Sequence, residues 1–120
     1  MVCFLSIATV MAISRGCDII YYGIHKDDAA GNAYPDCSYE FNAYMKNAIN
    51  AGSGGQVDIV APFVKCTKSD IVRIGMELNV PYEMTWSCYN GGEKPCGKCG
   101  TCIDRAKAFE ANNAVDPLIK

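Results

Sequence analysis

The sequence predicts an α/β fold built on a parallel sheet, and three observations support that fold class. Two short apolar runs of strand length, residues 18–24 and 57–60, alternate with longer segments that have helical spacing. The first run is rich in β-branched and aromatic side chains, which is typical of strands covered on both faces. Strands that alternate with helices favour right-handed crossovers between parallel neighbours. A cysteine-rich segment, residues 88–102, adds a small knuckle to this fold.

The first half of the chain predicts two helices and a turn around the strands. Residues 2–14 are apolar on every side, so we expect a buried helix that is covered all round and ends at Gly16. Residues 38–51 place large apolar side chains on one helical face, and Ser38 is a suitable N-terminal cap. A glycine-rich turn, residues 52–55, then leads into the second strand.

The second half predicts two further helices, with the knuckle between them. Thr67 and Asp70 form a capping-box pattern in front of apolar residues at helical spacing. That helix is expected to end near Asn79, because a proline follows shortly afterwards. The last helix is predicted over residues 101–112, with Ala106 and Phe109 directed inward.

Size and charge limit the classes of protein to consider. Two strands are too few for a free-standing parallel sheet, so either a third strand lies near residues 82–86 or the chain is the C-terminal part of a larger fold. The 120 residues, 50% of them hydrophobic, suffice for one core, and we predict a single domain over residues 1–120. A net charge of -2 predicts no binding to nucleic acid or to a membrane. The apolar segment 2–14 is too short to cross a bilayer and follows no basic residue, which predicts a cytoplasmic protein.

The knuckle contains four cysteines in a C-x7-C-x2-C-x2-C spacing: Cys88, Cys96, Cys99 and Cys102. Each C-x2-C step lets one tight turn direct two sulfurs at a single ion, and four thiolates complete a closed tetrahedral zinc site. Gly97 and Gly100 are expected to supply the unusual backbone angles of such turns. We predict one zinc ion per chain with a structural role, because a full sulfur shell leaves no position for a reacting water.

Two other uses of these thiols stay open from the residues alone. A secreted domain would join them in two disulfides, and thiolate runs also hold iron–sulfur clusters. The remaining cysteines are scattered without regular spacing: Cys3, Cys17, Cys37 and Cys66. Their placement does not suggest a disulfide framework, which favours the metal.

The polar segment after the first strand contains the candidate substrate-binding residues. His25, Asp27, Asp28 and Asp36 lie there, and ligands of open α/β sheets bind beyond the carboxyl ends of the strands. A carboxylate can accept two hydrogen bonds from a guanine-like N–H and amino edge. The alternatives are an acidic surface loop with Asx turns and a hydrogen-bonded structural histidine.

Four stretches of the chain together resemble one family. They are residues 23–28, 34–37, 67–75 and 85–105, and the last contains Thr-Trp-Ser-Cys followed by Cys-Gly-Lys-Cys-Gly-Thr-Cys. These stretches resemble the C-terminal half of the 7-cyano-7-deazaguanine synthases, the queuosine-pathway family also called QueC or ExsB. The resemblance implies an adenine nucleotide alpha hydrolase-like (ATP pyrophosphatase) fold that carries zinc in a four-cysteine knuckle.

The resemblance also implies an activity and its partners. The family converts 7-carboxy-7-deazaguanine, ammonia and ATP, with Mg²⁺, into the nitrile through adenylation of the carboxylate. It places a lysine that contacts pyrophosphate at Lys68, in the first turn of the helix that follows Thr67. The alternative for Lys68 is a solvated surface lysine. No residue is assigned a catalytic role. A homo-oligomer such as a homodimer is expected, because the sheet would otherwise leave open edges.

The family's phosphate loop, Ser-Gly-Gly-x-Asp-Ser, is the main departure. The chain begins downstream of the expected place of that loop, and the similar run at residues 53–58 lies after a helix and before a strand, the wrong context for binding phosphate. We therefore interpret this run as a turn and expect the isolated chain to be inactive. The competing hypotheses are a non-enzymatic zinc-knuckle module for binding or assembly, and an iron–sulfur redox protein.

Overall fold

The computed structural model describes residues 1–119, with Asn32 described by its backbone only. The chain forms two compact units, the first over Met1–Cys66 and the second beginning at Thr67. The assignment of both to one domain stays a prediction. None of the helices described over residues 1–119 is long and apolar enough to cross a membrane.

The first unit contains three helices and two strands. In chain order they are α1 (Val2–Arg15), β1 (Ile19–Tyr21), α2 (Lys26–Ala29), α3 (Tyr39–Gly52) and β2 (Asp58–Val60), with 3-10 turns at Ala30–Asn32 and Pro35–Cys37. The two strands pair in parallel with Ile20 opposite Ile59, which confirms the parallel sheet predicted from the sequence. Each strand has three residues and is shorter than its apolar run, because pairing stops where the chain turns away beyond Tyr21 and Val60.

The core of the first unit lies between the sheet and the two long helices. Its buried members are Leu5, Ala12, Ile49, Val57 and Ile59. Leu5 and Ala12 are seven residues apart, so α1 uses a single narrow stripe to reach this core. The prediction that α1 is covered all round is wrong for the described chain, since large side chains on its other faces are exposed: Phe4, Ile7, Val10 and Met11.

The helix α3 begins and ends as its sequence predicts. Ser38 Oγ accepts a hydrogen bond of 3.1 Å from the Phe41 amide, which confirms the N-terminal cap. At the other end the buried Ser53 hydroxyl accepts the Val57 amide at 3.0 Å, and Gly54 and Gly55 have positive φ. The segment that resembles a phosphate loop is thus a glycine turn between α3 and β2, as predicted.

The second unit contains α4 (Lys68–Glu77) and α5 (Gly100–Glu110), with 3-10 turns at Tyr82–Met84 and Pro117–Ile119. The capping box in front of α4 is confirmed, because the Asp70 amide donates to Thr67 Oγ1 at 3.1 Å and the Thr67 amide donates to Asp70 Oδ2 at 2.8 Å. Val72, Ala108 and Phe109 form the buried core, with Tyr82 packed against it. The inward direction predicted for Phe109 is confirmed, whereas that for Ala106 is wrong because Ala106 is exposed.

The third strand predicted near residues 82–86 is wrong, because Tyr82–Met84 is a 3-10 turn. Tyr82 uses this turn to direct its ring onto α4, where its hydroxyl donates to the carbonyls of Ile71 and Val72, both at 3.2 Å. The ring also meets Phe109 edge-on at a centroid distance of 5.1 Å. Gly75 permits this approach, since a Cβ there would lie 2.0 Å from the Tyr82 hydroxyl.

We expect Gly75→Ala to lower the free energy of unfolding by about 1–3 kcal/mol, the usual cost of overpacking. The added methyl group displaces a tyrosine whose hydroxyl and ring are both held. Urea unfolding followed by circular dichroism measures the change. Gly52→Ala is the matched control, because Gly52 is also helical and has open space around its Cβ position. Equal stabilities of the two variants would contradict the close packing.

Candidate metal centre

The four cysteines of the knuckle converge on one point. The Sγ atoms of all four lie within 4.8 Å of one another, and Cys88 and Cys102 are buried. A zinc ion with Zn–S bonds of about 2.3 Å needs sulfurs roughly 3.8 Å apart, so this spacing fits a closed tetrahedral shell after a small contraction. All eight cysteines of the chain are free thiols, which disagrees with the disulfide interpretation.

Backbone amides hold the sulfurs in place. The Cys96 amide points at Cys88 Sγ at 3.4 Å, and the amides of Lys98 and Cys99 point at Cys96 Sγ at 3.4 and 3.3 Å. Gly97 has a φ of 68°, as predicted for the turn between two ligands. Gly100 does not share this role, because it is the first residue of α5.

The same contacts control the charge of the thiols. Hydrogen bonds from nearby backbone amides lower the pKa of Cys99. The amides of Lys98 and Cys99 lower the pKa of Cys96 as well, whereas burial and then the Cys99 contact raise the pKa of Cys102 to about 12. The cluster thus contains thiols ready to ionise beside one that needs a cation in order to do so, which is the chemistry of a metal site.

The start of α5 fixes the segment that leads into the knuckle. The Thr101 hydroxyl donates to the Ser87 carbonyl at 2.7 Å and lies 3.3 Å from Cys99 Sγ. The indole N–H of Trp86 donates to the Cys88 carbonyl at 2.8 Å. Residues 86–88 are therefore held by the Trp86 side chain and by the Thr101 side chain of α5.

Arg105 is a residue of the site that sequence reasoning missed. Its Nε and Nη2 donate to the Asp116 carboxylate at 2.6 and 2.8 Å. Nη2 also donates to the Tyr82 carbonyl at 2.9 Å. Nη1 donates to Thr85 Oγ1 at 2.7 Å and to the Thr85 carbonyl at 3.1 Å. Arg105 and Asp116 are only 7% and 5% exposed. Neither spacing nor composition signals such a pair, because one charged residue in a helix is usually on the surface.

A cavity of about 200 Å³ lies beside this arrangement in the second unit. Aliphatic and aromatic atoms of α4, α5 and the Tyr82 turn form almost all of its surface, and Lys68, Thr85, Ser87 and Arg105 also line it. Lys68 is the first residue of α4 and is half-buried, so it occupies the position at the helix start that the sequence predicted.

The candidate substrate residues lie in the first unit, directly after β1. His25 Nε2 lies 3.2 Å from Asp28 Oδ2, whereas its Nδ1 is buried and has no hydrogen-bond partner among the described residues. Asp27 is exposed in the first turn of α2. Asp36 accepts a hydrogen bond of 2.7 Å from the Met1 ammonium group, which lowers the pKa of its carboxyl group.

Two further observations describe the surroundings of these residues. Partial burial raises the pKa of the Cys37 thiol, and the nearby charges of Asp28 and Asp36 raise it further, so both carboxylates lie near this thiol. A second cavity, of about 240 Å³, opens at the carboxyl ends of both strands, and Tyr21 and Phe63 contribute aromatic rings to it. This is the edge of the sheet at which the sequence predicted a ligand.

Fold and site together define an α/β chain with a cluster of four thiols that could hold a metal ion. The family model described as "Queuosine biosynthesis protein QueC" matches residues 1–113, and the chain belongs to that family. It is 47% identical over 116 residues to the 7-cyano-7-deazaguanine synthase of Archaeoglobus fulgidus, which covers 96% of this chain and 48% of the relative.

Two other relatives give the same result. Identity is 46% over 114 residues with the 7-cyano-7-deazaguanine synthase of Caldicellulosiruptor bescii, and 43% over 114 residues with 7-cyano-7-deazaguanine synthase 1 of Colwellia psychrerythraea. Each alignment covers 95% of this chain and 51% of the relative. The chain thus spans about half the length of the curated relatives it matches.

Proposed function

We propose that this chain is the zinc-binding and substrate-binding part of a 7-cyano-7-deazaguanine synthase. The whole enzyme converts 7-carboxy-7-deazaguanine and ammonia into the nitrile at the expense of ATP. The observation that carries the proposal is the convergence of four thiols in a chain of the QueC family that is 43–47% identical to such synthases.

The ion in the knuckle is zinc, and its role is structural. Cys88, Cys96, Cys99 and Cys102 supply four sulfurs, the full shell that zinc prefers in structural sites. When bound, the ion joins the loop of residues 88–99 to the first turn of α5 and neutralises the thiolates. Its closed shell leaves the chemistry of the reaction to other groups.

The deazaguanine ring binds at the carboxyl edge of the sheet in the first unit. Asp27, Asp28 and Asp36 offer carboxylates that match the N–H and amino edge of a guanine-like base. His25 orients Asp28 through its Nε2 contact, and its buried Nδ1 leaves one polar atom for a ligand to satisfy. The aromatic rings that line the adjoining cavity supply a stacking surface.

Lys68 contacts the phosphates of ATP, which binds with Mg²⁺. Lys68 is the first residue of α4, where the helix dipole favours negative charge. Adenylation makes the substrate carboxylate reactive by attaching a leaving group, and ammonia then displaces AMP. Positioning and charge stabilisation account for most of such nucleotidyl chemistry, so a fixed cation suffices as the contribution of this residue.

The assembly we propose is a cytoplasmic homo-oligomer in which both units belong to one domain of the synthase fold. Free thiols at all eight cysteines suit a reducing compartment. The exposed apolar side chains of α1 and the open edges of the two-stranded sheet favour burial against another surface.

The substrate site is tested by the binding of 7-cyano-7-deazaguanine, measured by calorimetry. We expect Asp28→Asn to weaken binding by about tenfold or more, because a hydrogen bond to a charged group contributes roughly 1.5–3 kcal/mol. Asp104→Asn is the control, since Asp104 is an exposed carboxylate on α5. Unchanged binding by Asp27→Asn, Asp28→Asn and Asp36→Asn would remove the substrate assignment.

The same protein is then mixed with 7-carboxy-7-deazaguanine, ammonia and ATP, and the nitrile is sought by mass spectrometry. We expect none from this chain by itself, because the Ser-Gly-Gly-x-Asp-Ser loop is absent from its 120 residues. Formation of the nitrile would contradict this expectation and require a second nucleotide-binding device within the chain.

A further inference from the structure

We propose that Thr101 and Arg105 are positioning residues that carry the geometry of the metal knuckle to the cavity beside Lys68. They hold Ser87 and Thr85, which both line that cavity. Metal binding at the knuckle then completes one wall of the cavity. The link to catalysis rests on the proposed function, in which Lys68 contacts the phosphates of ATP, but the coupling itself does not.

The first connection runs through Thr101. This residue lies between the ligands Cys99 and Cys102, and its hydroxyl contacts Cys99 Sγ at 3.3 Å. The same hydroxyl donates to the Ser87 carbonyl at 2.7 Å, across 14 residues of chain. Any ion that fixes the sulfurs around Thr101 therefore also fixes the backbone at Ser87.

The second connection runs through Arg105, one turn of α5 beyond the last ligand. Its Nη1 holds both the carbonyl and the hydroxyl of Thr85, and its Nη2 holds the carbonyl of Tyr82. The edge of the guanidinium group formed by Nε and Nη2 is bound by the Asp116 carboxylate. All three guanidinium nitrogens of Arg105 already have polar partners. Arg105 therefore acts on the cavity by holding the backbone of its wall in place.

Between these two connections the segment has no regular secondary structure of its own. Residues 85–88 form neither helix nor strand, and their backbone is held by side chains rather than by a ladder of amide hydrogen bonds. Such segments belong to the parts of a protein that open most easily. The conformation of the cavity wall thus depends on the two side chains of α5 and, through Thr101, on the metal.

The wall that is positioned in this way is almost wholly apolar. Ser87 lines it, and the Ser87 carbonyl is bound by Thr101. An apolar wall keeps a shape that fits a ligand only while the backbone behind it is held in place. This gives a physical reason for a structural metal close to a binding cavity.

Hydrogen exchange of residues 82–88, followed by mass spectrometry, tests the coupling without any substrate. We expect the amides of this segment to exchange more slowly in the zinc-loaded full chain than after the metal is removed by a chelator. Zinc-loaded Thr101→Val should exchange about fivefold faster in this segment, the effect of losing one hydrogen bond. Thr101→Ser keeps the hydroxyl and should restore the slow exchange.

Emission from Trp86, the single tryptophan of the chain, adds a spectroscopic test that a merely stabilising role would not affect. Zinc should shift this emission in the wild-type chain and in Thr101→Ser, and by less in Thr101→Val loaded with one zinc per chain, where only the bond from Trp86 to the Cys88 carbonyl remains. Thr9→Val is the matched control, because Thr9 also donates its hydroxyl to a backbone carbonyl, that of Leu5, in the first unit.

Each outcome decides the proposal. It is overturned if zinc-loaded Thr101→Val matches the wild-type chain in exchange and emission, or if removal of the metal leaves residues 82–88 unchanged. If Thr101→Val fails to bind zinc, Arg105→Lys is used instead. The proposal is then overturned if residues 82–85 exchange at the wild-type rate in zinc-loaded Arg105→Lys. A negative result in these measurements overturns the coupling but leaves the proposed function intact. Conversely, a chain that does not bind 7-cyano-7-deazaguanine at the Asp28 site can still show the coupling.

Discussion

Removal of the zinc proposed for the knuckle is expected to unfold this segment and to destabilise the second unit by more than any single core substitution. Structural zinc contributes roughly 10–16 kcal/mol of binding free energy in zinc-finger peptides, and the four thiols proposed as its ligands here come from residues 88–99 and from α5. We expect Cys102→Ser to lose bound zinc and to reduce the free energy of unfolding by more than about 3 kcal/mol. Metal content by mass spectrometry and urea unfolding at neutral pH measure both effects.

Cys3→Ser is the matched control for this prediction, since Cys3 is an exposed thiol on α1 and belongs to the other unit. It should retain one zinc per chain and wild-type stability. A protein purified under reducing conditions with visible absorbance from iron and sulfide would contradict the assignment of zinc. Full stability of Cys102→Ser would instead show that the knuckle folds without an ion.

The second large effect is expected at the buried pair of Arg105 and Asp116. Breaking a buried, hydrogen-bonded ion pair from one side costs about 3–5 kcal/mol, because it leaves the other charge buried without a partner. We therefore expect Arg105→Met to destabilise the chain by that amount in urea unfolding at pH 7. Arg73→Met is the control, since the Arg73–Glu77 pair is 53% and 62% exposed and such pairs contribute at most about 1 kcal/mol.

The double variant Arg105→Met with Asp116→Leu sharpens this test. Removing both charges also removes the uncompensated one, so the double variant should be more stable than Arg105→Met alone. A double variant with the summed loss of both single variants would indicate that the two residues act independently.

The same pair predicts a dependence of stability on pH. Burial raises the pKa of Asp116, but the hydrogen bonds and charge of Arg105 outweigh burial and leave the pKa below its ordinary value. A carboxyl group with a lowered pKa in the folded state adds stability above its unfolded pKa of about 3.9. That stability is lost as the pH falls through the lower, folded pKa, so wild-type and Asp116→Asn chains should converge in stability below about pH 4.

Sequence reasoning succeeded where the signal is local. The Thr67–Asp70 capping box, the Ser38 cap and the turn after α3 each depend on side chains that bond to backbone within a few residues, and each is present. The convergence of the four cysteines was predictable for the same reason, because the C-x2-C turns bring their sulfurs together whatever the rest of the chain does.

The failures share a dependence on distant groups. Residues 82–86 have strand-like composition, but Tyr82 is captured by α4 and the segment forms a turn instead. Arg105 gives no sign in the sequence of its partner Asp116, which lies 11 residues further along the chain. The composition of α1 indicates how much of its surface is apolar. It does not indicate which side chains are buried, because α3 and the sheet leave room for only a few of them.

The apolar surface of α1 also bears on how long the chain survives in a cell. Phe4 and Val10 are 74% and 67% exposed, and the helix that carries them has a single charged residue, Arg15. Uncovered side chains of this kind are what chaperones bind and what drives aggregation at micromolar concentrations. The abundance of the protein therefore depends on how quickly this helix is covered after synthesis, and a mutation on its outer face can change cellular levels without touching either candidate site.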